Sequence, residues 1–162
     1  MVQAINFISA KDEFDKIYNG KSLLPKSLVP VNGYSKSNIS LKGVKNKPLE
    51  EYFKWQFIFA LLQSGLYKKD FIGVEVHFPK GSKGAKDLEI DCAIFDDSDW
   101  INHYNNYRKS KKNEDLQWLN DHLISVVEFK RSKKEIEDAF TRQLKPAMRE
   151  KDPSDAYIVG IY

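Results

Sequence analysis

Asp91, Glu128 and Lys130 are the residues whose types and spacing could do chemistry. Asp91 lies in the alternating stretch Leu88-Glu89-Ile90-Asp91-Cys92-Ala93-Ile94-Phe95, and Glu128 and Lys130 close the apolar run that begins at Leu123. Side chains alternate along a strand, so Glu128 and Lys130 are expected on one face. A charged pair two residues apart after so apolar a run suits a strand end at a cleft, and pairing of the two strands would bring Asp91 beside Glu128. Two carboxylates held together repel each other and raise a pKa unless a cation sits between them. Oxygen ligands of this kind suit Mg²⁺, which retains waters and meets substrate phosphates, with Mn²⁺ as the expected substitute. A metal there would polarise a phosphodiester and acidify an attacking water. Lys130 would orient that water and stabilise charge developing on the phosphate. These residues make up a kit for metal-assisted hydrolysis.

Glu128-Phe129-Lys130 is the only carboxylate-x-Lys triplet in the chain, where chance would give roughly three. Its weight comes from its place, after an apolar strand and downstream of an Asp-bearing one. The plainer alternative is an edge strand carrying a cross-strand ion pair of little consequence. Glu51 is the next candidate metal ligand, in the first turn of a helix. Glu50 is its rival, and helix N-termini favour acidic residues in any case. Gln143 falls inside an apolar stripe formed by Ile136, Ala139, Phe140, Leu144 and Ala147. A polar group there needs hydrogen-bond partners, either near a cleft or on backbone.

The elements that must position these side chains follow from periodicity and punctuation. Residues 1–47 read as an irregular lead-in with a short helix near Ala10 to Tyr18, then broken by Gly20, Pro25, Pro30 and Gly33. A helix is expected from Asn46 or Lys47, with Pro48 at its first position, Phe53, Phe57, Ala60, Leu61 and Ser64 on one face, and Gly65 as its stop. Phe71 to Phe78 and Leu88 to Phe95 read as strands joined by a Gly/Lys loop. Residues 96–122 form an insertion, with Ser98 capping a short helix that carries Trp100, Tyr104 and Tyr107, and a second helical hint at Leu116 to Leu119. Leu123 to Lys130 reads as the clearest strand, Lys133 to about Lys145 as an amphipathic helix that Pro146 should kink or end, and Ala156 to Tyr162 as a final strand. The order is α-β-β-β-α-β, an α/β domain over residues 48–162 with a central mixed sheet flanked by helices.

Composition narrows the partners. The chain has 162 residues, 26 Lys plus Arg against 23 Asp plus Glu, and a formal charge of +3. That length suits one domain, and 30% charged with 41% hydrophobic residues excludes a disordered chain. A lone cysteine, Cys92, excludes an internal disulfide and fits a reducing compartment. No signal peptide or membrane span is evident, so a cytoplasmic protein is expected. Basic residues cluster at Lys80, Lys83 and Lys86, at Arg108 to Lys112, and at Lys130 to Lys134. On one face they would track phosphates; singly, each is a solvated loop or helix end. Trp100, Tyr104 and Tyr107 before the second cluster would stack bases or, as aromatic residues at helical spacing more often do, form core. Gly81 to Lys86 lacks the order of a phosphate loop, so no ATP site is expected, and the three His residues have no partners at zinc spacing.

Together these stretches resemble the PD-(D/E)XK nuclease superfamily, most closely the N-terminal nuclease domain of type I restriction enzyme R (motor) subunits. Leu49 to Phe57 is similar to that family's opening helix and Phe71 to Phe78 to the next strand. Leu88 to Phe95 matches its Asp-bearing strand, Val126 to Lys130 its ExK strand, and Ala139 to Lys145 the helix that carries a Gln. The resemblance implies a restriction-endonuclease-like core cutting DNA with Mg²⁺. In it Asp91 and Glu128 bind metal, Lys130 is the catalytic lysine, Glu51 is the helix carboxylate and Gln143 is the Gln of a Q-x-x-x-Y motif. It also implies motor, specificity and modification subunits or domains as partners, the chain being a piece of such a subunit or a stand-alone relative. Two departures stand out: the motif's tyrosine position is Ala147, and the insertion lengthens the Asp91-to-Glu128 separation. The competing expectations are a non-cleaving nucleic-acid-binding module of the same fold and a purely structural interaction domain.

Overall fold

The structure is a computed structural model and describes residues 7–18, 21–22, 39–79, 87–130, 132–147 and 157–158. The chain divides into two compact units, Met1–Lys69 and Asp70–Tyr162. The basic residues Lys80, Lys83, Lys86 and Arg131 lie outside the described residues.

The first unit holds α1 (Phe7–Tyr18), a two-stranded antiparallel ribbon of β1 (Lys21–Ser22) and β2 (Ile39–Ser40), and α2 (Glu50–Ser64). α1 packs on α2 through aromatic side chains. Phe14 meets Tyr18, Tyr52 and Phe59 at centroid separations of 4.6, 5.8 and 5.7 Å. The Tyr52 hydroxyl donates to Asp15 at 2.7 Å, so the buried ring keeps a partner for its polar end.

α2 begins later than the proline suggested. Pro48 forms an isolated bridge with Lys42, and the Leu49 N–H donates to the Leu41 carbonyl at 2.9 Å, so the first helical residue is Glu50. Its buried face matches the expected one only in part: Ala60 and Leu61 are buried as expected. Tyr52, Trp55, Ile58 and Phe59 are buried while Phe53 and Phe57 are half-buried. The helix is apolar nearly all round, so spacing alone selects no face. It ends as expected at Gly65, whose φ of 71° is the left-handed conformation that glycine adopts freely.

The second unit is mixed α/β. Its elements are β3 (Ile72–Phe78), β4 (Leu88–Phe95), α3 (Trp100–Ser110), α4 (Asn113–His122), β5 (Leu123–Val127), α5 (Lys133–Ala139), a π-helical turn (Phe140–Leu144), α6 (Lys145–Ala147) and β6 (Tyr157–Ile158). The sheet order is β3-β4-β5-β6. The first three strands are antiparallel and β6 joins β5 in parallel, so the sheet is mixed. Trp100 starts the inserted α3 without the expected Ser98 cap. Asp99 occupies the cap position, and its N–H donates instead to Asp97 Oδ1 at 2.8 Å.

The core of this unit gathers Val76, Phe78, Ile90, Phe95, Leu123 and Val126 from the sheet with Trp100, Tyr104 and Tyr107 from α3. Those three aromatic residues are therefore core and not a base-stacking surface. Trp100 lies parallel to Phe95 at 4.6 Å and 4°, with its indole N–H donating to the Asp70 carbonyl at 2.9 Å. Gly73 makes room for that ring: a Cβ there would meet Val76 Cγ2 at 2.5 Å and Trp100 at 2.8 Å. Gly73→Ala is accordingly expected to destabilise the protein by about 1–3 kcal/mol through overpacking. A denaturant midpoint equal to wild type at equal slope would contradict this packing.

The helix after β5 contains the largest local departure. Pro146 has no N–H and its ring crowds the carbonyl four residues back. The chain answers with a π turn, in which the Lys145 N–H donates five residues back to the Phe140 carbonyl. The wider turn shifts the phase of the apolar stripe. Ala139, Leu144 and Ala147 stay buried, while Phe140, expected within the stripe, turns out to 43% exposure.

Candidate active site

β4 and β5 bring the two predicted carboxylates together. Their ladder runs Phe95–Leu123, Ile94–Ser125, Ala93–Val126 and Cys92–Val127, and stops there. β5 thus ends at Val127, three residues before the expected Lys130. Asp91 and Glu128 are the next residues along each strand, and side chains replace the ladder between them. The Asp91 N–H donates to Glu128 Oε2 at 3.2 Å, and the Phe129 N–H donates to Asp91 Oδ2 at 2.8 Å. Each carboxylate thereby accepts a backbone amide from the other's segment. This reciprocal clasp satisfies two amides that strand pairing would otherwise have used. It also fixes both carboxylates relative to the sheet.

Lys130 completes the group. Its Nζ donates to Glu128 Oε1 at 2.6 Å. The expectation that Glu128 and Lys130 share a face is met in effect, although neither belongs to the strand. Between them Phe129 is buried and anchors the segment. Glu128 is only 5% exposed, so its charge is expensive without compensation. Burial pushes its carboxyl above the usual range, the Asp91 charge pushes it further, and the hydrogen bond and charge of Lys130 pull part of the way back.

This shift has a pH consequence. The folded state binds the Glu128 proton more tightly than the unfolded chain, so between the ordinary and the raised value the folded state carries the extra proton. Stability should therefore fall as pH rises through that window and level off above it. Glu128→Gln is expected to flatten this part of the curve, read from thermal melts taken from mildly acidic to neutral pH. Identical slopes for the two proteins would contradict the assignment.

The remaining candidates are placed as follows. Glu51 lies in the first unit, in the first turn of α2. Its Oε1 accepts from Lys54 Nζ and its Oε2 from the Trp55 indole N–H, both at 2.9 Å. Lys54 is 2% exposed, so the two charges are held as a buried-to-surface pair one helical turn apart. Gln143 is half-buried within the π turn, which packs against β4, the Asp91 strand.

Glu75 escaped notice in the sequence. The ladder pairs Val74 with Cys92 and Val76 with Ile90, so Glu75 stands opposite Asp91, but that pair is missing and Glu75 has a φ of 54°. A non-glycine residue in this conformation inside a strand is strained, and it interrupts the ladder beside the site without shifting its register. The available signal was an acidic residue within the apolar run Val74-Glu75-Val76.

Among the described residues, no group of three or more His, Cys, Asp or Glu side chains is arranged to hold a metal ion. Among the described residues, Asp91 and Glu128 form a linked pair of carboxylates. That pair fits a hard divalent ion that keeps most of its waters, since each carboxylate oxygen can accept more than one partner. No helix among the described residues is long and apolar enough to cross a membrane. No family model matches this chain, and no curated protein or solved structure matches it either.

Proposed function

We propose that the second unit hydrolyses DNA phosphodiester bonds with Mg²⁺ held by Asp91 and Glu128. The observation that carries this reading is the reciprocal clasp of Asp91 and Glu128 at the end of the β4–β5 ladder, with Lys130 Nζ 2.6 Å from Glu128. A merely structural ion pair would need one acid; here two acids, Glu128 buried and Asp91 half-buried, are held together where their repulsion is unfavourable. Such an arrangement makes physical sense when a cation relieves it. Bound there, Mg²⁺ would polarise a phosphodiester oxygen and acidify water. The protein's own part is to hold two oxygen ligands rigidly and to present the Lys130 ammonium beside them. That ammonium would orient the attacking water and donate to the phosphate as its charge grows.

The resemblance to the PD-(D/E)XK nucleases supports the same reading, with a restriction-endonuclease-like core, Lys130 as the catalytic lysine and Gln143 as an accessory residue. By that resemblance the chain works with motor, specificity and modification partners of a restriction system. Nicking of supercoiled plasmid that requires Mg²⁺ or Mn²⁺ and is lost on substitution of Lys130 is the test.

A further inference from the structure

The inserted helices α3 and α4 form a hairpin with a cavity of its own. One side of the hairpin supplies core through Trp100, Tyr104, Tyr107 and Leu119. The other opens on a cavity of ≈ 760 Å³, a volume within the range of pockets that take one small organic group. His103 and Trp118 form part of its wall and belong to an aromatic column. His103 stacks on Trp118 at 4.0 Å and 14°, and Trp118 stacks on His122 at 3.9 Å and 24°.

Carboxylates fix the two outer rings through their nitrogens. His103 Nδ1 is 2.9 Å from Asp115 and its Nε2 3.6 Å from Asp99, while His122 Nδ1 is 2.7 Å from Asp96. The hydrogen bonds to Asp115 and Asp96 run from ring nitrogens, whose bonding directions lie in the ring plane, so they leave the faces for stacking. Trp118 covers one face of His103, and among the described residues no further ring stacks on the other.

The cavity is lined by groups of both signs: Asp115 is engaged by His103 and Glu114 lies beside Lys112, while the exposed ammonium groups stand at the rim. Arg108 and Lys111 are drawn to Asp87. Lys109 and Lys112 line the cavity instead, together with the Asn106 amide and the Ser110 hydroxyl. Both lysines are exposed. Lys109 has no carboxylate partner among the described residues, and Lys112 has Glu114 at 3.5 Å. A flat ring face beside two ammonium groups matches a base with its flanking phosphates.

We infer that the α3–α4 cavity binds one unstacked nucleotide of a single-stranded DNA segment, a role that rests on the reading of this chain as acting on DNA. The base extends the His103–Trp118–His122 column, Asn106 meets its edge, and Lys109 and Lys112 hold the neighbouring phosphates. A duplex keeps its base faces covered, so the column selects single strands.

The test uses the full chain in EDTA with a fluorescent oligothymidylate. Trp55 and Trp100 are 1% and 0% exposed, so emission accessible to a collisional quencher reports Trp118. The oligomer should shield it. Lys109→Glu with Lys112→Glu should weaken binding about ten-fold or more and reduce the salt slope by about 1–2, near 0.7 for each phosphate no longer neutralised. Glu114→Gln should tighten binding by freeing Lys112. Unchanged affinity in the double variant, equal binding of a matched duplex, or equal shielding by free dTMP would each overturn the inference. Binding without metal is independent of cleavage. Absence of oligomer binding by the wild-type chain with intact Mg²⁺-dependent nicking sinks the cavity's role alone, and oligomer binding without any nicking sinks the nuclease reading alone.

Discussion

Lys130→Met is expected to slow Mg²⁺-dependent strand cleavage by about 10²–10³-fold, the usual loss when one donor aimed at developing charge is removed. Methionine keeps the apolar stem and removes the ammonium, so the change isolates the charge from the packing. The Lys130 Nζ sits 2.6 Å from Glu128 and pulls its carboxyl back toward ionisation. Without it the buried carboxylate is opposed by burial and by Asp91 together, and cation binding should weaken as well. Rates are therefore compared at saturating metal, where a deficit that persists belongs to the chemical step. Circular dichroism melts check that the fold survives. Wild-type cleavage by Lys130→Met would remove the lysine from the mechanism.

Asp91→Asn is expected to weaken divalent-cation binding by at least about 100-fold, the upper end of what losing even an outer-sphere partner does. The asparagine oxygen can still accept from the Phe129 N–H, which Asp91 accepts at 2.8 Å, so the clasp is preserved. The substitution also removes the negative charge that opposes ionisation of Glu128. The metal-free variant should therefore melt at a higher temperature than wild type, while the rise on adding Mg²⁺ or Mn²⁺ disappears. A site that gains stability when a carboxylate is neutralised is one kept under electrostatic strain for a ligand. A retained metal-dependent shift would show that Asp91 is no ligand.

The pairing of Asp91 with Glu128 was legible because strand periodicity depends on local sequence. β4 has the bounds that its alternation predicts, Leu88–Phe95. The end of β5 was not legible, because the ladder stops where the Asp91 and Glu128 side chains take over from backbone carbonyls. That is a property of two segments 37 residues apart. Pro48 misled in a similar way: its place in a bridge with Lys42 depends on the preceding turn, and a proline suits either setting. The exposure of Phe140 follows from the π turn before Pro146. A fixed 3.6-residue period placed it one step inside the stripe.

The aromatic residues of the insertion show how far spacing reaches. Trp100, Tyr104 and Tyr107 share a helical face, and that face is core. The rings left at the surface, His103, Trp118 and His122, come from two helices and meet only through the hairpin. Among the three basic clusters, the chemistry of Arg108 to Lys112 likewise divides by geometry. Two side chains turn to Asp87 and two to the cavity.

The decisive measurement for metal-dependent hydrolysis at Asp91 and Glu128 is conversion of supercoiled plasmid to nicked or linear DNA by this chain, with and without Mg²⁺ or Mn²⁺. Cleavage should need the cation, and Asp91→Asn, Glu128→Gln and Lys130→Met should each abolish or nearly abolish it while the proteins stay folded. No cation-dependent cleavage by folded wild-type protein, or equal cleavage by all three variants, would contradict this mechanism.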